Sequence, residues 1–282
     1  MAFLKNKYLS ALLGTTLLLA ANQGVAGLII TTGGQVATDG SGLTSSFVDA
    51  SNKIDPTNGY LIETFDAATK MIGFEGFPQD KSFNWSGLDE IGNAVSAGCG
   101  VNSSGSISVT GNLGVKGDGT SNDHGVGAPP GGNHATIGDK TCFGFTPGEG
   151  TGNTVTVDYR GFLTGGDKID YLGFYWGSID AYNNFTFFDS STNTSETLLG
   201  STLLAQSGGT PGNQNGLESN LYINIKFEDF AFDSFMVTST GVAGEFDNIV
   251  VGLQSRNIPE PATIAMFGLA LLGLMRIKRT HH

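Results

Sequence analysis

Apolar and polar side chains alternate with a period of two in several segments of the second half of the chain. The clearest examples are residues 154–159, 221–227 and 234–237. Successive side chains of a β-strand point to opposite faces of its sheet, so this alternation predicts half-buried strands in antiparallel sheets. Residues 171–176 and 185–188 instead carry aromatic side chains on both faces, which predicts strands that are covered on two sides.

Turn-forming residues separate these segments at intervals of about ten residues. Clusters of Gly, Asp, Asn and Ser occupy residues 165–167, 180–184, 189–193 and 207–215. Such clusters mark turns, because their side chains tolerate or favour turn conformations. The rhythm of short strands and turns predicts an all-β fold, an antiparallel β-sandwich or jelly roll with its core in residues 105–253.

Weaker patterns predict how other residues contribute to this domain. Residues 28–32 and 60–65 are expected to add edge strands, residues 106–110 a further strand, and residues 245–251 the last strand. Residues 116–147 are rich in Gly, Asp and Asn and have little apolar periodicity. We expect this stretch to form a long surface loop.

The N-terminal residues have the layout of a secretory signal peptide. Two lysines precede the apolar run of residues 8–21, and small residues ending with Ala26 follow it. This order of a basic, an apolar and a small-residue region is what signal peptidase recognises. The sequence therefore predicts a signal peptide over residues 1–26, with cleavage near Ala21 or an uncleaved anchor as alternatives.

The C-terminal residues combine three features in order, a Pro-Glu-Pro motif, an uncharged apolar stretch and a basic cluster. They are Pro259, Glu260 and Pro261, then residues 262–275, then Arg276, Lys278 and Arg279. A helix of about 16 residues, over residues 262–277, would be roughly 24 Å long against a hydrocarbon core of about 30 Å, so it is a marginal transmembrane helix. Since basic residues stay on the cytoplasmic side, the body of the protein would lie outside.

This arrangement resembles the PEP-CTERM sorting signal. The resemblance implies recognition by a membrane exosortase and delivery to the cell envelope or the extracellular matrix, with the helix as a temporary membrane anchor. A buried core helix is the alternative interpretation. The predicted organisation is a signal peptide over residues 1–26, a β-sandwich ectodomain over residues 27–258 and the sorting signal over residues 259–282.

A second resemblance concerns the ectodomain. Residues 171–184 form a tight aromatic and polar block, and Phe-Asp-Asn-Ile follows at residues 246–249. Together they resemble the β-sandwich ectodomain of one group of exosortase-sorted surface proteins, over residues 105–253. The resemblance implies the fold and no particular activity.

The charge of the chain narrows the classes of partner. The net charge is −12, and residues 27–258 contain nine basic and 25 acidic residues, a net charge of −16. Such a field repels phosphate backbones, so we expect no nucleic-acid partner. Solubility and attraction of cations are its ordinary consequences.

The chain has two cysteines, Cys99 and Cys142. Both lie in the region predicted to be exported, where the environment permits oxidation, so a disulfide between them is expected. Two buried free thiols are the alternative. A zinc site is not predicted, because it requires more cysteine or histidine ligands at suitable spacing.

Calcium is the cofactor that the acidic loops suggest. Asp118, Asn122 and Asp123 lie in one Gly-rich segment, and oxygen ligands on a loop suit Ca²⁺. Their spacing does not match the EF-hand loop, and a solvated loop is the alternative. Asp247 and Asn248, near the end of the domain, are a second source of oxygen ligands.

A glycan-binding platform is the second hypothesis for a site. It would consist of the aromatic residues Tyr175, Trp176 and Tyr182, with Asp180 and Asn183 hydrogen-bonding to sugar hydroxyls. The alternative is that these aromatic side chains lie in the core, which is their usual place in strands.

No catalytic motif accompanies these residues. Neither a Gly-x-Ser-x-Gly elbow nor a His-Glu-x-x-His motif is present. We therefore expect a non-enzymatic cell-surface or matrix protein associated with extracellular polysaccharide, whose export requires signal peptidase and exosortase. A lectin-like carbohydrate-binding module and an extracellular polysaccharide hydrolase or lyase are the alternatives.

Overall fold

The computed structural model is mostly β-structure. It describes residues 27–52, 59–65, 107–116, 127–131, 137–148, 152–163 and 167–254. The strands are β1 (Leu28–Thr32), β2 (Gln35–Val36), β3 (Leu43–Thr44), β4 (Tyr60–Glu63), β5 (Ser108–Gly111), β6 (Gly114–Lys116), β7 (Phe143–Thr146), β8 (Thr154–Asp158), β9 (Ile169–Gly177), β10 (Asn183–Asp189), β11 (Thr194–Leu199), β12 (Leu221–Phe227), β13 (Ser234–Ser239) and β14 (Gly244–Leu253). One α-helix, α1 (Gly200–Ser207), and a 3₁₀ turn at Leu217–Ser219 complete the described elements.

The strands form two large antiparallel sheets. The seven-stranded sheet has the order β1-β12-β9-β14-β7-β6, with β4 also paired to β14, and the five-stranded sheet has the order β11-β10-β13-β8-β5. Strands β2 and β3 form a small separate ladder, and β3 packs against β9, β12 and β14 of the seven-stranded sheet. The predicted all-β fold with antiparallel sheets is confirmed, and β1 and β4 join the same sheet as β14, as expected for residues 28–32 and 60–65.

Aromatic side chains from both sheets meet in one core. The rings of Phe174 on β9 and Phe185 on β10 are stacked with their centroids 4.3 Å apart, and Trp176 meets Phe185 edge-on at 5.0 Å. These residues belong to a single cluster of buried apolar side chains that spans the two sheets. Burial of each large ring contributes roughly 2–3 kcal/mol, so this cluster holds the sheets face to face.

The outer face of the seven-stranded sheet is covered as well. Tyr171 and Tyr175 alternate with the core residues of β9, and their hydroxyl groups reach the segments that cover this face. The hydroxyl of Tyr175 donates to the carbonyl oxygen of Ile137 at 2.9 Å, and that of Tyr171 lies 2.7 Å from Ser45 Oγ. The aromatic character of both faces of this strand therefore reflects two covered sides, as predicted.

The predicted surface loop over residues 116–147 is wrong for part of that range. Phe143 and Phe145 are buried in strand β7, which pairs with β14 on one side and β6 on the other. The strand has only four residues and stands among glycines and prolines, so its period of two is too short to be visible in the sequence. Its burial depends on β14, which lies about 100 residues later in the chain.

The two terminal segments lie outside the described residues. The signal peptide over residues 1–26 and the transmembrane helix over the C-terminal apolar stretch therefore stay predictions. In the part of the chain that the structure describes, no helix has both the length and the apolar character needed to cross a membrane.

Candidate functional site

A polar pocket lies where four strands meet at one end of the sandwich. Strand β9 ends beside the start of β14, with Gly177 opposite Glu245, and β10 begins beside the end of β13, with Asn183 opposite Ser239. Loops at the end of a sandwich are the ordinary place for a binding site. The pocket has a volume of about 210 Å³, and its lining includes Ser178, Asp180, Gln214, Val242, Ala243 and Glu245.

Glu245 is the most deeply buried acid of this pocket. The side chain of Phe246 enters the core between the sheets, so its neighbour Glu245 points to the outer face, where residues 127–131 cover it. Glu245 is 2% exposed. Its Oε2 accepts from Ser178 Oγ at 2.7 Å and its Oε1 from the backbone N–H of Ala128 at 2.9 Å.

Burial makes the acid of Glu245 weak. Desolvation raises its pKa to about 8, and the nearby carboxylate of Asp180 acts in the same direction. The hydrogen bonds from Ser178 and Ala128 favour the ionised form and oppose the shift without cancelling it. Near neutral pH, Glu245 is therefore mainly uncharged, and the pocket can offer a carboxylic O–H as well as oxygen acceptors.

Asp180 supplies the second carboxyl group. It is 8% exposed, and desolvation raises its pKa, while the nearby hydroxyl group of Tyr182 opposes the rise. Gly212 faces it with a φ of 66°, and a Cβ at that position would lie 3.3 Å from Asp180 Oδ1. Glycine therefore satisfies the left-handed backbone conformation and leaves space beside the carboxylate.

Asn220 holds the loops of the pocket together. Its Oδ1 accepts from the backbone N–H groups of Gly131 at 2.7 Å and Ser178 at 2.9 Å. Its Nδ2 donates to the carbonyl oxygens of Asn213 and Gly216, each at 2.8 Å. One buried amide thus fixes three separate segments of chain around the pocket, and this limits the conformational freedom that a ligand would have to remove.

The rim of the pocket is apolar and partly exposed. The hydroxyl of Tyr182 donates to the carbonyl oxygen of Val242 at 3.1 Å, and Val242 is 56% exposed. Asn183 is buried beneath them, accepts from Ser239 Oγ at 2.7 Å and donates to the carbonyl oxygen of Ala243 at 3.3 Å. Tyr182 and Asn183 therefore act on the pocket by supporting residues 242 and 243.

The aromatic platform expected from Tyr175 and Trp176 is wrong. Both residues are 0% exposed, so neither ring has a free face on which a sugar could stack. Trp176 packs in the core against Phe174 and Phe185, and Tyr175 is covered by the loop at Ile137. Of the five residues predicted to bind glycan, Asp180 lines the pocket, and Tyr182 and Asn183 hydrogen-bond to the backbone of its lining residues Val242 and Ala243.

Asn248, one of the residues considered as a cation ligand, has its side chain in a buried hydrogen-bond network. Its Oδ1 accepts from Asn52 Nδ2 at 2.9 Å, and its Nδ2 donates to the carbonyl oxygens of Ser41 and Leu43, each at 2.8 Å. All polar atoms of its side chain are thus engaged in tying the N-terminal segment to β14. Asp247 is also fully buried.

Several predicted site residues lie outside the described residues. These are the calcium candidates Asp118, Asn122 and Asp123, together with Cys99, and calcium binding at these positions stays a prediction. Cys142 is buried, and the described part of the chain contains no free cysteine, but the pairing with Cys99 also stays a prediction. Within the described ranges, no group of three or more His, Cys, Asp or Glu side chains is arranged to hold a metal ion.

Ser178 and Glu245 were not singled out by their sequence context. Glu245 stands at the start of a strand that is otherwise mostly apolar, and a charged residue in such a strand is the one signal of a special environment. Ser178 carries no such signal. Their partnership arises from the pairing of β9 with β14, which places positions 67 residues apart next to each other.

One comparison with known proteins bears on the C-terminus. Residues 257–279 match the PEP-CTERM protein-sorting motif. The match confirms the predicted motif, which comprises Pro259, Glu260, Pro261, Arg276, Lys278 and Arg279, and it indicates an exported protein that an exosortase sorts to the cell surface. No curated protein matches the chain at a significant level.

Proposed function

We propose that this protein is a non-enzymatic component of the cell surface or extracellular matrix that associates with extracellular polysaccharide. The match of residues 257–279 to the PEP-CTERM motif carries the proposal, because it supports sorting by an exosortase. The predicted signal peptide over residues 1–26 supports passage through the secretory pathway. The β-rich body between these segments is then the part delivered to the surface.

The character of the ectodomain supports a place in a hydrated polysaccharide layer. Residues 27–258 carry a net charge of −16, which favours solubility. Exposed positions of strand β11 and the turn before it are mainly Ser, Thr and Asn, whose hydroxyl and amide groups hydrogen-bond to water and to sugar hydroxyls equally well.

Processing is tested by the intact mass of the surface form. Wild type is expected to lose residues 1–26 and the segment after about residue 258, and to remain full-length at its C-terminus in a strain without exosortase. Replacement of Glu260 by Gln tests the motif while keeping its size. A surface form that retains the C-terminal segment in the presence of exosortase would contradict the proposal.

Association with polysaccharide is tested separately, by sedimentation of the mature protein with the purified extracellular polymer of its host. The protein is expected in the pellet with the polymer and in the supernatant without it. The same mixtures are assayed for new reducing ends and for unsaturated uronates. Release of either product would favour the hydrolase or lyase alternative over the non-enzymatic role.

A lectin-like module is the second candidate. The polar pocket between Asp180 and Glu245 favours it, because a concave site with a few fixed polar groups is typical of small-ligand recognition.

A further inference from the structure

We infer that the pocket formed by Ser178, Asp180 and Glu245 binds the terminal sugar of a neutral glycan. The polar floor would hydrogen-bond to the sugar hydroxyls, and the exposed side chain of Val242 at the rim would pack against its apolar C–H face. The inference rests on the proposed association with polysaccharide, and it adds the site and the class of sugar.

The size of the pocket suits an organic molecule. Its volume is about 210 Å³, whereas a single buried water requires roughly 10–15 Å³. The pocket is therefore much larger than a water site. It is formed at the junction of four strands and fixed by Asn220, so it exists before a ligand arrives and little ordering is lost on binding.

The polar groups of the floor match hydroxyl groups. Asp180 offers carboxylate oxygens, which accept from hydroxyl donors, and Ser178 and Gln214 offer groups that can both donate and accept. Glu245 is mainly uncharged near neutral pH, because its pKa is raised to about 8. A sugar hydroxyl is both a donor and an acceptor, so it can pair with each of these groups.

Charge decides which sugars are accepted. The lining of the pocket contains two carboxyl groups and neither Lys nor Arg. A uronate or a sulfated sugar would bring a second anionic group close to Asp180 with no cation to compensate it, at a substantial cost in a partly desolvated site. Neutral sugars avoid this cost, so we infer that they are the preferred ligands.

A divalent cation suits the described residues less well. Both oxygens of Glu245 already accept hydrogen bonds, from Ser178 and Ala128. In the described ranges the pocket does not belong to any group of three acidic or other metal-ligating side chains. Cation binding at the pocket is therefore one of the results that would contradict the inference.

The rim provides the apolar contact that sugars require. The ring of Tyr182 packs over Gly241, where a Cβ would lie 2.6 Å from the ring, and its hydroxyl fixes the adjacent Val242 backbone. Val242 is largely exposed at the mouth. An amphipathic ligand such as a sugar ring can thus contact a polar floor and an apolar edge at once.

The inference is tested on an array of neutral and anionic oligosaccharides, with titration calorimetry of each hit. The probe protein is the mature form purified from an exosortase-bearing host. We expect binding to at least one neutral glycan, no binding to uronate or sulfated glycans, and a loss of affinity of about tenfold or more in Asp180→Asn and Ser178→Ala. Tyr182→Ala is expected to weaken binding as well.

Matched controls lie at the opposite end of the sandwich. Glu228→Gln and Asp229→Asn remove the same charges from exposed residues in the loop after β12, and both variants are expected to bind like wild type. Equal melting temperatures of Asp180→Asn and Asp229→Asn would show that lost binding is not lost folding. If Asp180→Asn does not fold, Tyr182→Ala takes its place as the test variant, because the side chain of Tyr182 is only partly buried.

Three results would overturn the inference. They are the absence of any neutral hit, equal binding by the Asp180 and Asp229 variants, and saturable binding of calcium at the pocket that Asp180→Asn abolishes while no glycan binds. None of them affects sedimentation with polysaccharide through other surfaces, so failure of the pocket and failure of the proposed function give different results.

Discussion

Ser178 Oγ lies 2.7 Å from Glu245 Oε2 and donates a hydrogen bond to it inside the polar pocket. The contact joins the end of β9 to the beginning of β14 and buries a carboxyl group at the edge of the sandwich. It satisfies one oxygen of Glu245 without supplying a positive charge. The pocket is therefore sensitive to pH, which leads to the first prediction.

Glu245→Gln is expected to flatten the dependence of stability on pH. The folded pKa of Glu245 is about 8 against an ordinary value of 4.5, so the folded state holds a proton that the unfolded chain releases between these values. The free energy of unfolding of wild type should therefore fall as pH rises from 5 to 8, by an amount on the order of a few kcal/mol. Urea unfolding at several pH values measures this slope.

The glutamine variant keeps the shape and the neutral form of the side chain, so it should fold. Asp180 also has a raised pKa and faces the same pocket, so part of the slope at lower pH will persist. The control Glu228→Gln changes an exposed acid and should retain the slope of wild type. An identical slope in wild type and Glu245→Gln would contradict the burial of an uncharged acid.

Asn248→Ala is expected to lower the free energy of unfolding by about 3 kcal/mol. The substitution removes the donor to the carbonyl oxygens of Ser41 and Leu43, the first of them buried, and one of the acceptors of Asn52 Nδ2. It also places alanine at a φ of 48°, a left-handed conformation that asparagine tolerates better. Denaturant unfolding at neutral pH measures the loss.

Asn193→Ala separates these two contributions. Asn193 has a similar φ of 55° but is exposed in a turn, so its substitution reports mainly the conformational cost, about 1 kcal/mol. The difference between the two variants is the contribution of the hydrogen-bond network. Equal losses in both would mean that the network adds nothing.

Lys168→Met is expected to destabilise the protein by about 2–3 kcal/mol at pH 7. Lys168 Nζ lies 2.7 Å from Asp189 Oδ1 and 3.3 Å from Asp233 Oδ2. Its removal leaves two largely buried carboxylates without their shared counter-ion, although the partial exposure of the lysine keeps the cost below that of a fully buried pair. Thermal or urea unfolding measures the difference from wild type.

Acid should abolish much of this difference. Burial alone would raise the pKa of Asp189, but the Lys168 ammonium and the hydrogen bonds from Ser191 hold it well below its ordinary value of 3.8. The stabilisation is therefore complete above that value and is lost as pH falls towards the folded pKa. Lys226→Met, at an exposed position of β12, should change stability by less than about 0.5 kcal/mol. A pH-independent effect of Lys168→Met would rule out the electrostatic explanation.

The predicted disulfide between Cys99 and Cys142 gives a fourth expectation. Protein denatured without reductant should take up no iodoacetamide, and two equivalents after reduction, as measured by intact mass. The double variant Cys99→Ser/Cys142→Ser should lose roughly 3–4 kcal/mol, because the unfolded chain regains the entropy of the open loop. Alkylation of the denatured but unreduced protein would instead favour the alternative of two buried free thiols.

Several elements were predictable because their signal is local. The alternation over residues 221–227 reproduces the bounds of β12, and the double-faced aromatic pattern of residues 171–176 lies within β9. A period of two is a property of the strand itself, and a covered strand needs apolar residues on both faces whatever its partners are. The short strand β7 gave no such signal, because four residues barely establish a period.

The same distinction between local signals and long-range contacts applies to the candidate site. The sequence by itself determined the sorting motif at residues 257–279, since recognition of that motif depends on contiguous residues. It also determined that Asp180, Tyr182 and Asn183 lie close together, because they are neighbours in one turn. Only the tertiary structure decided that Trp176 lies in the core and that Ser178 meets Glu245. Strand pairing sets both outcomes, since it determines which face is buried and which distant residues become neighbours.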